Sequence, residues 1–469
     1  MASKLPPKIL LMITSLADTA TLRSLRLTSR AICASATQSL FRTITLFDRD
    51  DSCNAVESIM RHPSLRGLVR KIYLQTVEKD YVSEIQFCER KQKPMDPQNG
   101  SFWFNALQDL DRGMPDEIPD PPEKWRKLLA MLPTLPNFES IALRFDKNCC
   151  EDSSLFGDAV QTEEYRKMVM KWVLSEVVAL PRPLKELAIQ NNQNTTQLGV
   201  YGDEVLGGLI SLRLNTVHEA DAAAPEDEVE KWEFHDYFNR LLPTVWLRPA
   251  MSSLRNLTLY SDMYWGFYPR PPLKGIHFPN LQSLSLGNYC FFEDAQLDWI
   301  LSHSTLQELY LDDCAILFQI YLCAESPHGL GIIPRSSMQR DPEKGNGFFH
   351  TYPRRWSDYF ASLESGLPHL RHFAIGRSNW EGGLPFEQEQ DIKPALLHDR
   401  YLVFDQGTGG SAFQNDVRSW KMSPEEQRPN CDEQDRTALQ QLYEKIGQKV
   451  EGGFRRRRYQ IKDLLEVDR

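Results

Sequence analysis

The residues whose types could most directly support metal binding or catalysis are a pair of histidines and a pair of cysteines. His369 and His372 are metal-ligand types, but they flank the apolar strand position Leu370, and their spacing directs them to different faces. The adjacent thiols of Cys149 and Cys150 are candidate nucleophiles, yet no base lies near them in the sequence. These patterns predict neither a metal site nor a covalent catalyst.

A glycine-rich run at residues 406–411 is the nearest candidate for a phosphate-binding loop. It follows a strand-like run at 401–404 but lacks a lysine and a following helix, so it indicates a flexible turn. The chain has no Walker-type loop and no G-x-S-x-G, H-E-x-x-H or G-x-G-x-x-G motif. We therefore expect a protein that is not an enzyme and that needs no cofactor or metal; the alternative is an enzyme within residues 376–469.

Composition predicts a folded protein with a large core. The length of 469 residues suits either about three domains or one elongated repeat array. With 41% hydrophobic and 10% aromatic residues, the chain can bury a substantial core. The formal net charge of −10 repels phosphate backbones, so nucleic acid is not an expected partner. Binding to other proteins is the function class that remains.

The cysteines and the apolar runs indicate the cellular compartment in which the protein is expected. The nine cysteines are scattered and include no Cys-x-x-Cys pair, which is typical of reduced thiols in the cytosol or nucleus. Thr14 and Ser15 interrupt the first apolar run and disfavour a signal peptide. The run at 315–324 is shorter than the roughly 20 residues of a membrane-spanning helix. We expect a soluble cytoplasmic or nuclear protein with no membrane partner.

The main structural pattern of the chain is an internal repeat of the form L-x-x-L-x-L. The clearest copies start 27 and then 25 residues apart, at Leu254/Leu257/Leu259, Leu281/Leu284/Leu286 and Leu306/Leu309/Leu311. Weaker copies are Val69/Ile72/Leu74, Phe138/Ile141/Leu143, Leu184/Leu187/Ile189, Leu209/Leu212/Leu214 and Leu370/Phe373/Ile375. The period predicts an irregular leucine-rich-repeat-like solenoid of parallel strands with helices and loops outside; the alternative is an unrelated α/β fold.

In such a strand the last two apolar positions point into the core, and the residues between and beside them face the other way. Stacked units then present an extended concave surface that suits a protein or peptide. We expect exposed, target-binding side chains on this surface at Arg144, Arg213, Thr258, Glu308, Tyr310 and Asp312, and exposed side chains also at Ser285 and Ala374.

Residues 5–46 predict three short helices that lead into a strand. Pro6 and Pro7 suit the first turn of a helix, Asp18 can cap the second helix, and Thr28 or Ser29 can cap the third. The first helix is apolar around most of its circumference, which a single packing partner cannot cover. It must therefore be buried on two sides, either by its own fold or by another protein.

The N-terminal run resembles the F-box, in the form found in fungal proteins. The residues that carry the resemblance are Leu5-Pro6, Ile9-Leu10, Ile13, Leu16, Leu22, Leu25-Arg26-Leu27, Ser29-Arg30 and Leu40-Phe41. Lys8 stands where the family usually has an acidic residue. The resemblance implies docking on a Skp-family linker, and so on a cullin ubiquitin ligase, with Leu5, Pro6, Ile9, Leu10, Ile13, Leu22 and Leu25 at or beside the interface.

The predicted organisation is an F-box-like module at 1–46, a solenoid with long insertions at 47–380, and a C-terminal extension with a capping helix at 381–469. Surface insertions are expected at 94–122, 220–233 and 326–347 from their proline, glycine and charge content. The arginines at 455–458 suit either a nuclear-import signal or a solvated basic stretch.

The expected function is that of a substrate-recognition adaptor of a cullin-type ubiquitin ligase, which holds an unknown target protein on the solenoid. The alternative is a leucine-rich scaffold whose first helices only cap the repeat array.

Overall fold

The fold is α/β and is built around a large parallel sheet. The computed structural model describes residues 5–76, 121–146, 161–194, 201–218, 232–322, 333, 335–340, 347–378, 392–394, 400–406, 412–415 and 429–449. Within these ranges, no helix has the length and apolar character needed to cross a lipid bilayer.

Ten strands of the described chain form the main sheet, and the parallel strands lie side by side in chain order. They are β1 Thr43–Phe47, β2 Lys71–Gln75, β3 Ser140–Arg144, β4 Glu186–Gln193, β5 Ser211–Val217, β6 Asn256–Ser261, β7 Ser283–Gly287, β9 Glu308–Asp312, β13 His372–Arg377 and the antiparallel edge strand β14 Lys393–Pro394. Each of the eight L-x-x-L-x-L copies forms one of these strands, and all their apolar positions are buried in one core cluster.

The entry into each parallel strand of the main sheet from β3 to β13 repeats the same pair of hydrogen bonds. The carbonyl of Glu139, just before β3, accepts the amides of Lys185 and Glu186 at 2.9 and 3.2 Å, and the carbonyl of Lys185 accepts those of Ile210 and Ser211. The pattern recurs up to Gln307, whose carbonyl accepts the amides of Arg371 and His372. This repeated contact keeps neighbouring strands in one register, so their apolar side chains stack in rows.

Helices cover the apolar face of the sheet. Those of the described chain are α1 Pro7–Ser15, α2 Thr19–Thr28, α3 Arg30–Arg42, α4 Asp50–Arg61, α5 Glu123–Leu129, α6 Glu163–Val178, α7 Gly202–Leu206, α8 Trp232–Asp236, α9 Asp294–Leu301, α10 Trp356–Gly366 and α11 Asp432–Ile446, with a π-helix at Tyr237–Leu247. Apolar residues of every helix from α4 to α11 share the core cluster with the strand residues, whereas α1, α2 and α3 contribute none. The long connections therefore return over the same face.

The first three helices begin where local sequence predicts. Pro7 is the first residue of α1, and the Asp18 carboxylate accepts the amide of Thr21 at 2.7 Å at the start of α2. The Ser29 hydroxyl accepts the amide of Ile32 at 3.4 Å at the start of α3. These caps satisfy amides that the helix itself leaves without partners.

Two strands of the main sheet were not among the predicted repeats: the edge strand β14, and β1, which is the strand expected after the three N-terminal helices. β1 follows α3 directly and pairs in parallel with β2. Its sequence, Phe41/Ile44/Leu46, has the L-x-x-L-x-L spacing, and Ile44 and Leu46 are buried in the core. The sheet therefore begins inside the segment that the sequence assigns to the N-terminal module.

A second sheet lies beyond the ends of β7 and β9. It contains β10 Ala315–Leu322, β11 Gln339–Arg340, β12 Phe348–Thr351, β15 Tyr401–Gln406 and β16 Ala412–Asn415, with β8 Cys290–Phe291 paired to β10. The predicted strand at 401–404 is confirmed as β15, and the short apolar run at 315–324 supplies β10. Part of the expected loop at 326–347 is instead the strand β11.

The predicted C-terminal helix is present as α11, three residues earlier than expected. Leu439 and Leu442 enter the main core, and the carboxylate of Asp435 accepts the Ser357 amide at 2.8 Å and the Tyr401 hydroxyl at 2.6 Å. These bonds tie α11 to α10 and β15. Beyond the helix, the Gln448 side chain bonds both backbone groups of Phe373 in the last parallel strand.

Several predictions concern residues outside the described ranges. They are the cysteines at 149–150, the glycines at 407–410, the arginines at 455–458 and most of the three insertions.

Replacing a core leucine should destabilise the whole fold. Leu284 of β7 is fully buried in the centre of the sheet. Leu284→Ala is expected to lower the free energy of unfolding by about 2–5 kcal/mol because it leaves a cavity. Urea unfolding measures this, and the exposed Leu27→Ala should change the same quantity by about 0.5 kcal/mol or less. Equal losses in both variants would contradict the assigned core.

Stability should also depend on pH through His303. Burial, and secondarily the nearby His277, lower the pKa of His303 to about 4 from its ordinary value of 6.5. The unfolded chain then binds a proton that the folded chain does not, so stability falls as pH drops from about 6.5 to about 4. The effect is at most about 3 kcal/mol. Urea unfolding at several pH values should show that the free energy of unfolding depends less steeply on pH in His303→Gln than in the wild type. In the exposed His369→Gln this dependence should equal that of the wild type.

Candidate functional site

The most unusual surface of the described chain is an apolar stripe on the N-terminal helices. The exposed fraction of the residue is 43% at Leu5, 40% at Ile9, 57% at Met12, 47% at Ile13 and 89% at Leu16. At 100° per residue, these positions lie within about 100° of one another around the axis of α1. Scattered single apolar residues are ordinary on a surface, but an aligned stripe of five makes this face a candidate interaction site.

The opposite side of α1 is fixed to α3. Leu10 is buried, and the buried hydroxyl of Thr14 lies 2.9 Å from the Ser39 hydroxyl and 3.3 Å from the Ser35 carbonyl oxygen. A buried hydroxyl that loses its partners is costly, so these contacts fix the rotation of α1 about its axis. The helix therefore presents the stripe to solvent.

The second helix is held against the third in a similar way. The Arg26 guanidinium donates to the Thr37 hydroxyl at 3.1 Å and lies over the Phe41 ring at 5.3 Å from its centre. Leu22 is buried, whereas Leu27 on the same helix is 89% exposed. The module thus has a small core of its own and leaves much of its apolar surface outside it.

The predicted linker-binding residues divide into two groups. Leu5, Pro6, Ile9 and Ile13 are exposed, and Leu25 is half-buried. Leu10 and Leu22 were expected at or beside the interface but are buried, so they cannot form its surface. Met12, Leu16 and Leu27 are exposed apolar residues that the predicted set omits. The spacing of Ile9, Met12, Ile13 and Leu16 along one helix face could have identified Met12 and Leu16 from the sequence.

The second candidate surface is the polar face of the main sheet, defined as the side away from the core helices. Its middle row runs across the strands through Tyr73, Ala142, Ala188, Arg213, Thr258, Ser285, Tyr310 and Ala374, which are direct neighbours in register. Arg144, Arg213 and Glu308 are partly exposed there. Of the residues expected to bind a target, these three remain partly accessible to solvent.

The predicted exposure of the rest of this surface was wrong. Thr258, Ser285, Tyr310, Asp312 and Ala374 are all buried. Tyr310 packs with Ala374 and with Ile392, which precedes the edge strand β14. Alternation along a strand directs a side chain away from the core, but larger neighbours from other strands then cover the short ones.

Asp312 shows how this covering occurs. Tyr260 extends across Gly287 and donates its hydroxyl to the Asp312 carboxylate at 3.0 Å. The amide of Ser378 donates to the same carboxylate at 2.8 Å, and the Ser378 hydroxyl also donates to it. Burial raises the pKa of Asp312, and the donated hydrogen bonds oppose that rise. The carboxylate is therefore a structural acceptor within the fold.

No protein-family model matches this chain, and no curated protein matches it. Among the described residues, no three histidine, cysteine or carboxylate side chains gather in a way that could hold a metal ion. His372 instead packs its ring on Tyr310, with centroids 5.2 Å apart, and His369 lies on the surface.

Adding a methyl group at Gly287 should displace Tyr260. A Cβ at this position would lie 2.5 Å from Cγ of Tyr260, closer than real contacts allow. Gly287→Ala is expected to lower the free energy of unfolding by about 1–3 kcal/mol, since the ring must move and its bond to Asp312 weakens. Gly67→Ala is the matched control because nothing lies within 4 Å of its added Cβ. Thermal unfolding compares the two variants, and equal midpoints would contradict the packing described.

Proposed function

We propose that this chain is a substrate-recognition adaptor of a cullin-type ubiquitin ligase. In this proposal the three N-terminal helices act as an F-box that docks on a Skp-family linker, and the parallel sheet with its helices is a leucine-rich-repeat-like solenoid that holds the target. The observation that carries the proposal is the exposed stripe of Leu5, Ile9, Met12, Ile13 and Leu16.

Energetics favours a partner for this stripe. Fully burying one aliphatic side chain is worth about 1.5–3 kcal/mol, so several large apolar residues in water are a substantial unused driving force. The described fold does not use it, because the buried side of α1 is the opposite one, where Leu10 is enclosed and Thr14 contacts α3. A second protein with an apolar groove would bury the stripe without disturbing those contacts.

Charge adds a second property of the partner. Between residues 5 and 42 the chain has five cations, Lys8, Arg23, Arg26, Arg30 and Arg42, against the single carboxylate of Asp18, a formal net charge of +4. The whole chain has a formal net charge of −10. The module would therefore favour a docking surface whose rim is acidic, since opposite charges speed encounter and suppress wrong partners.

The target would bind on the polar face of the sheet. Arg144, Arg213 and Glu308 are the predicted contact residues that remain accessible there. Catalysis would then be a matter of proximity: the adaptor raises the effective concentration of a target lysine near a charged conjugating enzyme. The adaptor itself would make and break no bond and need no cofactor. Such a complex would act in the cytoplasm, the nucleus or both.

The decisive experiment is co-purification of the full chain with a Skp-family linker. Ile9→Asp combined with Ile13→Asp should weaken binding at least about a hundredfold, because each charge would be buried against an apolar surface. The unfolding midpoint should hardly change, since both side chains are exposed in the free chain. Isothermal titration and thermal unfolding measure the two effects.

Trp232→Asp is the matched control, since Trp232 is also apolar and exposed but begins α8, outside the module. It should bind the linker as the wild type does. Absence of linker binding in the wild type would defeat the proposal. A large loss of thermal stability in the double variant would favour the scaffold alternative, in which these helices only cap the array.

A further inference from the structure

A cleft of about 470 Å³ opens at the N-terminal ends of β1 to β5. Each of these five neighbouring strands contributes its first residue and the residue before it, and Arg213 of β5 completes the lining. With strands about 4.8 Å apart, the cleft spans roughly 19 Å across the sheet, the length of about six extended residues. Its first wall, Arg42 and Thr43, is where the N-terminal helices meet the sheet.

The cleft is positively charged within an acidic protein. Its lining has five cations, Arg42, Arg70, Lys71, Lys185 and Arg213, against the two carboxylates of Glu139 and Glu186. That gives the lining a formal net charge of +3, whereas the chain as a whole has −10. A concave site with one dominant sign of charge concentrates ligands of the opposite sign.

Both carboxylates are already bridged by cations of the lining. Glu139 accepts from Arg70 at 3.1 Å and from Lys185 at 2.8 Å. Partial burial acts to raise the pKa of Glu139, but these two hydrogen bonds hold it below its ordinary value. The carboxylate therefore stays ionised and fixes both cations at the mouth of the cleft, where each keeps further donors for a ligand.

Glu186 organises the inner half of the cleft in the same way. It accepts from Lys71 at 3.2 Å and from the Ser140 hydroxyl at 2.9 Å, and Arg213 Nε lies 4.0 Å from it. These contacts come from strands β2, β3, β4 and β5, which are rigid parts of the sheet. An anion that enters meets donors whose positions are already set, which lowers the entropy cost of binding.

We propose that this cleft binds an acidic, extended segment of a partner protein across the starts of β1 to β5. The inference rests on the proposed function only in taking that partner to be the target of the adaptor. Nucleic acid fits less well, because a continuous phosphate backbone would extend beyond the cleft over a chain with a net charge of −10. Binding of the acidic segment next to Arg42 would place the target close to the N-terminal module.

The test uses the full chain and a fluorescein-labelled octaglutamate peptide in fluorescence anisotropy. The wild type should bind it more tightly than labelled octaglutamine, and added salt should weaken the binding. Arg70→Gln with Lys185→Gln should weaken octaglutamate binding about tenfold. Arg42→Gln changes an exposed residue and leaves both bridges to Glu139 intact, and it should weaken octaglutamate binding about threefold. This single variant keeps the test valid if the double variant fails to fold.

Lys167→Gln with Lys171→Gln on α6 is the charge-matched control, because these exposed lysines lie on the helical side of the sheet. It should bind octaglutamate as the wild type does. Equal affinity for octaglutamate and octaglutamine, or cleft variants that bind like the control, would overturn the inference. Tighter binding of an octathymidine oligonucleotide would overturn it as well.

Linker co-purification by the Arg70/Lys185 variant is measured separately and should be unchanged. This separates failure of the cleft inference from failure of the proposed function.

Discussion

The fold depends on the burial of stacked apolar rows between parallel strands and the helices that return over them. A strand of five to eight residues directs only two or three apolar side chains to one face, and this is too little to stand alone. Alignment in register joins these contributions into one cluster that extends from Ile44 in β1 to Tyr443 in α11. The repeated hydrogen bonds at the strand entries maintain that register. Long connections are tolerated because the energetic cost of closing a loop grows slowly with its length.

The same register determines which side chains of the polar face remain accessible to solvent. Residues that point away from the core lie in rows that run across the strands, with neighbours in a row about 4.8 Å apart, so a long side chain on one strand easily covers a short one on the next. Tyr260 does this across Gly287 and reaches Asp312, while Tyr310 packs with Ala374 and Ile392. Much of the polar face is therefore satisfied within the chain. Partly exposed charge is concentrated at the N-terminal ends of the first strands, where Glu139 and Glu186 hold their cations.

The N-terminal helices make a different use of apolar residues. Leu10 and Leu22 provide a small inner core, and Thr14 and Arg26 add polar contacts that fix the helices to one another. Once these positions are set, helical geometry leaves Ile9, Ile13 and Leu16 on the outside. An apolar stripe on α1 and a basic cleft that begins at Arg42, the last residue of α3, give the chain two surfaces of contrasting chemistry. The proposed adaptor would need two such surfaces, one for the linker and one for the target.

The sequence by itself determined the features that depend on local periodicity. Alternating apolar residues identified eight strands of the main sheet, helix caps identified the first three helices, and the patterns near 401 and 435 identified β15 and α11. It predicted a strand after the third helix but did not recognise it as the first repeat strand, because Phe41, Ile44 and Leu46 were assigned to the module, and it gave no role to the strand β10. Only the tertiary structure decided which outward side chains are covered, since Thr258 and Asp312 are buried by residues from other strands. It alone also assembled the basic cleft, because Arg42 and Arg213 lie 171 residues apart in the chain and meet only through strand register.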